Sequence, residues 1–204
     1  MLNTNNLNKN NTYISIWLYL SLFLVSSLIF IGGLTRLTES GLSITNWEIL
    51  SGILPPLTEK KWEEYFSLYK KIPQYKEINF GMSLAEFKYI FWWEYIHRIL
   101  ARLASLVFIL PFIYFLIKKI LSFKQIILYS IISFLFFFQG FLGWYMVKSG
   151  LILKTDVSHF RLSVHLLGAQ IILSLIFFSI LFRNVKKIRL DINSYLIIFF
   201  LLLV

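Results

Sequence analysis

The feature that most constrains this chain is a set of four long apolar segments that carry few charges or none. Each is long enough to cross about 30 Å of hydrocarbon as a helix, which takes about 20 residues. In lipid a helix satisfies its own backbone polar groups, whereas irregular chain does not. The sequence therefore predicts an all-α polytopic membrane protein with an antiparallel four-helix transmembrane bundle. The predicted spans are residues 14–34, 87–117, 125–147 and 161–182.

The remaining segments divide the chain further. Residues 1–13 are polar and rich in Asn, and are predicted to form a disordered cytosolic tail. Residues 35–88 form a long loop, in which Thr58 is predicted to cap a short amphipathic helix and Ser83 to form a capping box with Glu86. Residues 14–182, with this loop, form one transmembrane half. Residues 183–204 are predicted to be a cytosolic loop and the start of a truncated fifth helix, since the apolar segment from Ile192 is 13 residues long and falls short of a span.

Charge placement predicts the topology. The net charge is +10, and its basic residues are concentrated in the short turns after the second and fourth spans, which is typical of cytoplasmic loops. We therefore expect a multi-pass protein of the bacterial inner membrane with a cytoplasmic N-terminus, and no nucleic-acid partner. The aromatic residues Tyr13 and Trp17 are predicted to lie at the cytoplasmic interface. The chain has no cysteine, which excludes disulfides, thiolate metal sites and cysteine nucleophiles.

A cluster of ionisable residues lies near the start of the second span. Glu94, His97, Arg98 and Arg102 share one helical face. Charged groups are costly in a membrane and usually face a partner, a cavity or a cofactor. The cluster is therefore the first candidate for a functional site.

A second histidine makes this site more specific. His97 and His165 lie in the early turns of the second and fourth spans, which run in the same direction, so both are expected at similar depth. Two imidazoles facing each other across a helical bundle match the ligation of haem iron. Arg98, Arg102 and Arg161 could then bind the haem propionates. Alternatively, each histidine only hydrogen-bonds a neighbouring helix.

Three further polar residues each allow two interpretations. Glu94 either forms an ion pair with Arg98 at i+4 or acts on a substrate as an acid–base or electrostatic group. Gln139 either bridges two helices or lines the cavity. His159, which precedes the fourth span, is predicted to be solvated surface rather than a ligand.

Several motifs in these segments resemble the haem A synthase family, particularly the branch shared by alphaproteobacteria and mitochondria. The resemblance covers about residues 28–170, and the loop motifs make it specific. The matching residues are 32–42 (GGLTRLTESGL), Trp47, Pro55 and Pro56, Trp62 and Glu63, 86–88, Glu94 and Tyr95, His97 and Arg98, Gln139 and Gly140, 143–151, Arg161 and Leu162, and His165 and Leu166.

The resemblance implies an enzyme that converts haem O to haem A for cytochrome oxidase, by oxidising a porphyrin methyl to a formyl group with water. It implies that His97 and His165 hold the iron of the substrate haem near the periplasmic side, and that Glu94 is catalytic. Family members have two such halves, and the cofactor haem b is bound by a histidine pair in the C-terminal half, which we expect this chain to lack.

We therefore expect an N-terminal half from a truncated, split or decayed gene, unable to complete the reaction alone. The expected partners are haem O, haem A and membrane lipid, with haem O synthase, a complementary C-terminal fragment or a second copy as further candidates. The alternative is a non-enzymatic bis-His haem-binding membrane protein for electron or haem transfer. A transporter is a weaker alternative, because Pro111 is the single proline within the predicted spans and no span has a broken centre.

Overall fold

The structure is a computed structural model that describes residues 4–46, 51–153 and 155–184. It is helical, with no strand among these residues, so the predicted all-α class is confirmed. Four of the helices are long and apolar enough to cross a membrane, as predicted. Trp47 and residues 185–204, which include the predicted fifth helix, lie outside the described residues. The helices are α1 (Thr4–Leu37), α2 (Glu59–Tyr69), α3 (Pro73–Glu77), α4 (Leu84–Ile117), α5 (Phe123–Leu153) and α6 (His159–Asn184), with a 3-10 turn at Ser51–Ile53.

The chain forms two compact units. Each of the four long helices contributes one part to the first unit and the other part to the second. The second unit also contains the whole segment between α1 and α4, and all the predicted site residues. In the described chain, the first unit comprises residues 4–27, 103–139 and 166–184, and the second comprises residues 28–46, 51–102, 140–153 and 155–165.

In the first unit, a proline leaves one backbone carbonyl without its helical hydrogen-bond donor. Pro111 lies inside α4 and has no N–H to donate to the carbonyl of Val107, four residues earlier. The indole Nε1 of Trp17 on α1 donates to that carbonyl at 2.9 Å. The Trp17 ring is 5% exposed and packs against Phe108, and against Tyr129 of α5. Trp17 is therefore a core residue of this unit, and its predicted depth at the cytoplasmic interface stays a prediction.

This arrangement predicts a specific energetic coupling. Replacing Trp17 with Phe keeps an aromatic ring but leaves the carbonyl unsatisfied, so we expect a loss of about 1–2 kcal/mol in stability. In a Pro111→Ala background, the restored N–H at residue 111 can bond Val107, and the same Trp17→Phe change should cost measurably less. Thermal unfolding of the four detergent-solubilised variants measures the coupling. Equal costs in both backgrounds would contradict this account.

Two predicted boundaries differ from the structure. Residues 4–13, predicted to be a disordered tail, continue α1, and Arg183 of α6 donates to the backbone and side-chain oxygens of Asn11 at 3.2 and 3.1 Å. The third span was predicted to end at residue 147, but α5 continues to Leu153. The polar residues predicted that the helix ends in both places, but the backbone hydrogen bonds of the helix continue through these polar segments.

The segment between α1 and α4 is folded rather than loose. Thr58 caps α2 by accepting from the Lys61 N–H at 3.3 Å, as predicted. The capping box at the start of α4 is also confirmed, with the Ser83 N–H donating to Glu86 at 2.7 Å. Buried apolar residues of this segment pack against the first turns of α4. They are Leu42, Ile44, Trp62, Phe66, Tyr69 and Ile72, which contact Phe87, Ile90 and Phe91.

Tyr69 joins this aromatic core to a polar network. Its hydroxyl donates to Gln74 at 3.0 Å and accepts from Asn79 at 2.8 Å. Gln74 in turn donates to the carbonyl of Glu39 at 2.9 Å. Burial raises the pKa of Tyr69. The network therefore attaches the α2–α3 region to the residues that follow α1.

Candidate functional site

A buried carboxylate holds the second unit together. Glu94 of α4 is 4% exposed. Its Oε2 accepts hydrogen bonds from the Ser43 hydroxyl at 2.7 Å and from the Ile44 N–H at 2.8 Å. Its Oε1 accepts from Nε and Nη2 of Arg98 at 3.1 and 2.5 Å, and Arg98 Nη2 also donates to the carbonyl of Ile44 at 3.1 Å. We call Ser43, Ile44, Glu94 and Arg98 the Glu94 clamp.

The clamp bears on both interpretations of Glu94. The ion pair with Arg98, predicted from their i+4 spacing, is confirmed. Both carboxylate oxygens are occupied by protein donors, so contact with a substrate would require one of these donors to move away. The catalytic role implied by the family resemblance stays a prediction.

The clamp predicts that removing the charge of Glu94 costs more stability than removing the charge of an exposed carboxylate. Breaking a buried ion pair by removing one partner typically costs about 3–5 kcal/mol. Glu94→Gln should therefore lower the thermal unfolding temperature strongly, because Arg98 loses its counter-charge and an NH2 donor replaces one of the two acceptor oxygens. The matched control is Glu59→Gln, which removes an exposed carboxylate 3.0 Å from Lys88 and should cost less than about 1 kcal/mol. Similar losses for the two variants would show that the clamp does not stabilise the fold.

The two predicted histidines are brought together, and each faces a glycine. His97 of α4 lies against Gly32 of α1, where an added methyl group would be 3.3 Å from His97 Nε2. His165 of α6 lies against Gly143 of α5, where an added methyl group would be 3.5 Å from His165 Cε1. The two imidazoles are close enough to interact electrostatically. Four helices thus supply two imidazoles and two positions without a side chain.

This set of residues fits a haem. The described residues contain no group of three or more His, Cys, Asp or Glu side chains that could hold a free metal ion. Two imidazoles instead suit iron whose other ligands come from a porphyrin. Gly32 and Gly143 leave the space into which the two imidazoles pack.

The three arginines predicted as propionate partners all contact protein groups. Arg98 belongs to the Glu94 clamp. Arg102 donates to the carbonyl of Gly52 at 3.4 Å. Arg161 donates to the Tyr145 hydroxyl at 3.3 Å, and its guanidinium lies 4.4 Å from the centre of that ring. Their role toward propionates stays a prediction.

Gln139 lies in the first unit and packs against a glycine of α6. A methyl group added to Gly168 would be 2.9 Å from the Gln139 side-chain oxygen. Both interpretations of Gln139, as a bridge between helices or as part of the cavity lining, stay predictions.

A polar cluster that the sequence reasoning did not identify lies at the ends of α1 and α6. Arg36 Nη2 is 3.9 Å from Asp156 Oδ2 and 3.5 Å from His159 Nδ1. His159 is largely exposed, as predicted, and its Nε2 is 3.7 Å from Asp156 Oδ2. Arg36 and Asp156 line a cavity of about 290 Å³. One available signal was the spacing of Arg36, four residues after Gly32, which places both on one face of α1.

Comparison with known proteins identifies the family. The family model described as cytochrome oxidase assembly protein matches residues 15–204. The heme A synthase of Pelagibacter ubique is 51% identical over 195 residues, which cover 94% of this chain and 57% of the relative. Those of Flavobacterium psychrophilum and Agrobacterium fabrum are each 52% identical over 165 residues, covering 80% of this chain and 49% and 45% of the relatives. No solved structure matches the chain.

The chain thus spans about half the length of the curated relatives it matches. The matched region contains the histidine pair, its two glycines and the Glu94 clamp. The chain belongs to the haem A synthase family of cytochrome oxidase assembly proteins.

Proposed function

We propose that this chain supplies the substrate-holding part of a haem A synthase, with haem O as the substrate. The observation that carries the proposal is the pairing of His97 with Gly32 and of His165 with Gly143, within one compact unit. The relatives' name supports the reaction, and the residues fit the ligand. In this proposal His97 and His165 hold the iron of haem O.

The overall reaction turns a ring methyl into a formyl group. One water supplies the oxygen, and four protons and four electrons leave for each methyl oxidised. The electrons require an acceptor, and the family resemblance assigns this role to haem b. Glu94 is the proposed catalytic carboxylate, which could accept a proton once a donor of the clamp has moved.

The same proposal gives the chain a location and partners. The basic turn at Lys118 and Lys119 supports an N-terminus in the cytoplasm of a bacterium and a haem site near the periplasmic side of its inner membrane. Haem O, haem A and lipid are the proposed ligands. Haem O synthase, a complementary C-terminal fragment and a second copy remain candidate partners.

One observation favours a second candidate function, a non-enzymatic bis-His haem-binding protein for electron or haem transfer. Both oxygens of Glu94 already accept hydrogen bonds from protein groups. A structural carboxylate would suffice for such a carrier. The two functions therefore differ in what Glu94 does after haem has bound.

Haem ligation is tested first, with the full 204-residue chain in detergent. We expect it to bind haem with the absorption spectrum of two imidazole ligands. His97→Ala and His165→Ala should each abolish that spectrum and weaken binding by more than about tenfold, since even residues behind a metal ligand alter affinity by 10–100-fold. His159→Ala is the matched control and should keep the spectrum. A two-imidazole spectrum in either of the first two variants would contradict the assignment.

Turnover separates the two functions. In cells that make haem O but lack haem A synthase, the chain is expressed alone and together with the C-terminal half of the Pelagibacter ubique relative, and haem A is measured by chromatography. If Glu94 is catalytic, Glu94→Gln should abolish haem A formation in any sample where the unchanged chain forms it, at a temperature at which the variant is still folded and binds haem. If the chain binds haem but forms no haem A, whether it is expressed alone or with the C-terminal half, the haem-carrier function is favoured.

A further inference from the structure

The cavity beside Arg36 lies next to the proposed haem site. Its lining includes Thr35 and Arg36 of α1, which follow Gly32 by three and four residues. Met146 of α5 follows Gly143 by three residues, and Leu162 of α6 precedes His165 by three. On α1 the cavity is lined by Gly32 itself and by the residues one turn later. On α5 and α6 its lining lies one turn, about 5.4 Å, from Gly143 and His165. Its far wall is formed by the connecting segment, at Leu42 and Gln74.

Arg36 differs from Arg98 in how its charge is compensated. Arg98 is 13% exposed and is bonded to Glu94 at both 3.1 and 2.5 Å. Arg36 is 39% exposed, and its ion pair with Asp156 spans 3.9 Å, too long for a hydrogen bond. A guanidinium has five N–H donors in a planar fork, which suits a carboxylate. Arg36 lines the cavity, so its guanidinium could donate to a carboxylate bound there.

We propose that Arg36 binds a propionate carboxylate of the haem held between His97 and His165, and so positions the substrate ring. The inference rests on the proposed function, because it requires haem at the histidine pair. Propionates extend beyond the ring edge, and the cavity lies within one helical turn of Gly32, Gly143 and His165. Arg36 is a positioning residue in this account, and it contacts neither the iron nor the methyl group that reacts.

The carboxylate beside Arg36 allows a propionate-binding role of Arg36 to be distinguished from a structural role. Asp156 would compete with a propionate for Arg36 and would repel it. Glu39, which also lines the cavity, adds a second negative charge. If Arg36 serves only to fasten the end of α1 to Asp156, removing either partner should have the same effect. If Arg36 binds a propionate, removing Arg36 should weaken haem binding and removing Asp156 should not.

The test uses the full chain in detergent and two probes, iron protoporphyrin IX and its dimethyl ester, which lacks both carboxylates. We expect Arg36→Gln to weaken binding of the free acid by about tenfold or more, since a hydrogen bond to a charged group is lost. Binding of the dimethyl ester should be unchanged by this substitution. Asp156→Asn should leave binding of the free acid equal or up to about fivefold tighter, as expected for a like charge at about 4 Å in water.

Lys148→Gln is the matched control, because it removes one exposed positive charge from the same end of α5, and it should leave both affinities unchanged. Unchanged binding of the free acid by Arg36→Gln would overturn the inference. Equal weakening by Arg36→Gln and Asp156→Asn, or equal weakening of acid and ester, would also overturn it and assign Arg36 a structural role. In these three cases the unchanged chain still binds haem, so the proposed function stands. Failure of the unchanged chain to bind either probe would overturn both.

Discussion

The Glu94 clamp is the interaction on which the second unit most depends. A carboxylate and a guanidinium are both costly in an apolar environment, and here they neutralise each other within one turn of α4. The remaining capacity of the carboxylate is used by Ser43 and by the Ile44 N–H, from a segment about fifty residues earlier in the chain. The clamp therefore solves two problems together, because it compensates a charge pair and fixes an irregular stretch of backbone against a helix.

The position of the clamp also explains how the histidine site is built. His97 comes three residues after Glu94, so the same turn of α4 carries both the clamp and one imidazole of the pair. The aromatic layer of α2 reinforces this turn from the other direction, with Trp62 packed edge-on against Phe91 at a centroid distance of 4.8 Å. The long connecting segment is thus a structural part of the site, and it supplies the wall of the cavity beside Arg36 as well as the donors to Glu94.

Much of this architecture could be predicted from the sequence because the relevant signals are local. Length and hydropathy identify the spans, and the caps at Thr58 and Ser83 depend on residues three positions apart. The depth of His97 and His165 follows from the helix direction. The contacts that were not predicted are long-range. The Trp17 indole donates to the Val107 carbonyl, 90 residues away in sequence, and Arg36 contacts the His159 imidazole, 123 residues away. No periodicity contains that information, and an aromatic residue near the end of a span has the same local pattern whether it faces lipid or the core.

Pro111 affects the order in which the helices assemble. Until α1 and α4 meet, the carbonyl of Val107 has neither its helical donor nor the Trp17 indole, and an unsatisfied carbonyl in hydrocarbon is unfavourable. The isolated α4 therefore carries a penalty that its docking onto α1 removes. The N-terminal helix is in this sense an intramolecular chaperone for α4, because it is synthesised first and its Trp17 donates to the carbonyl that Pro111 leaves without a helical partner.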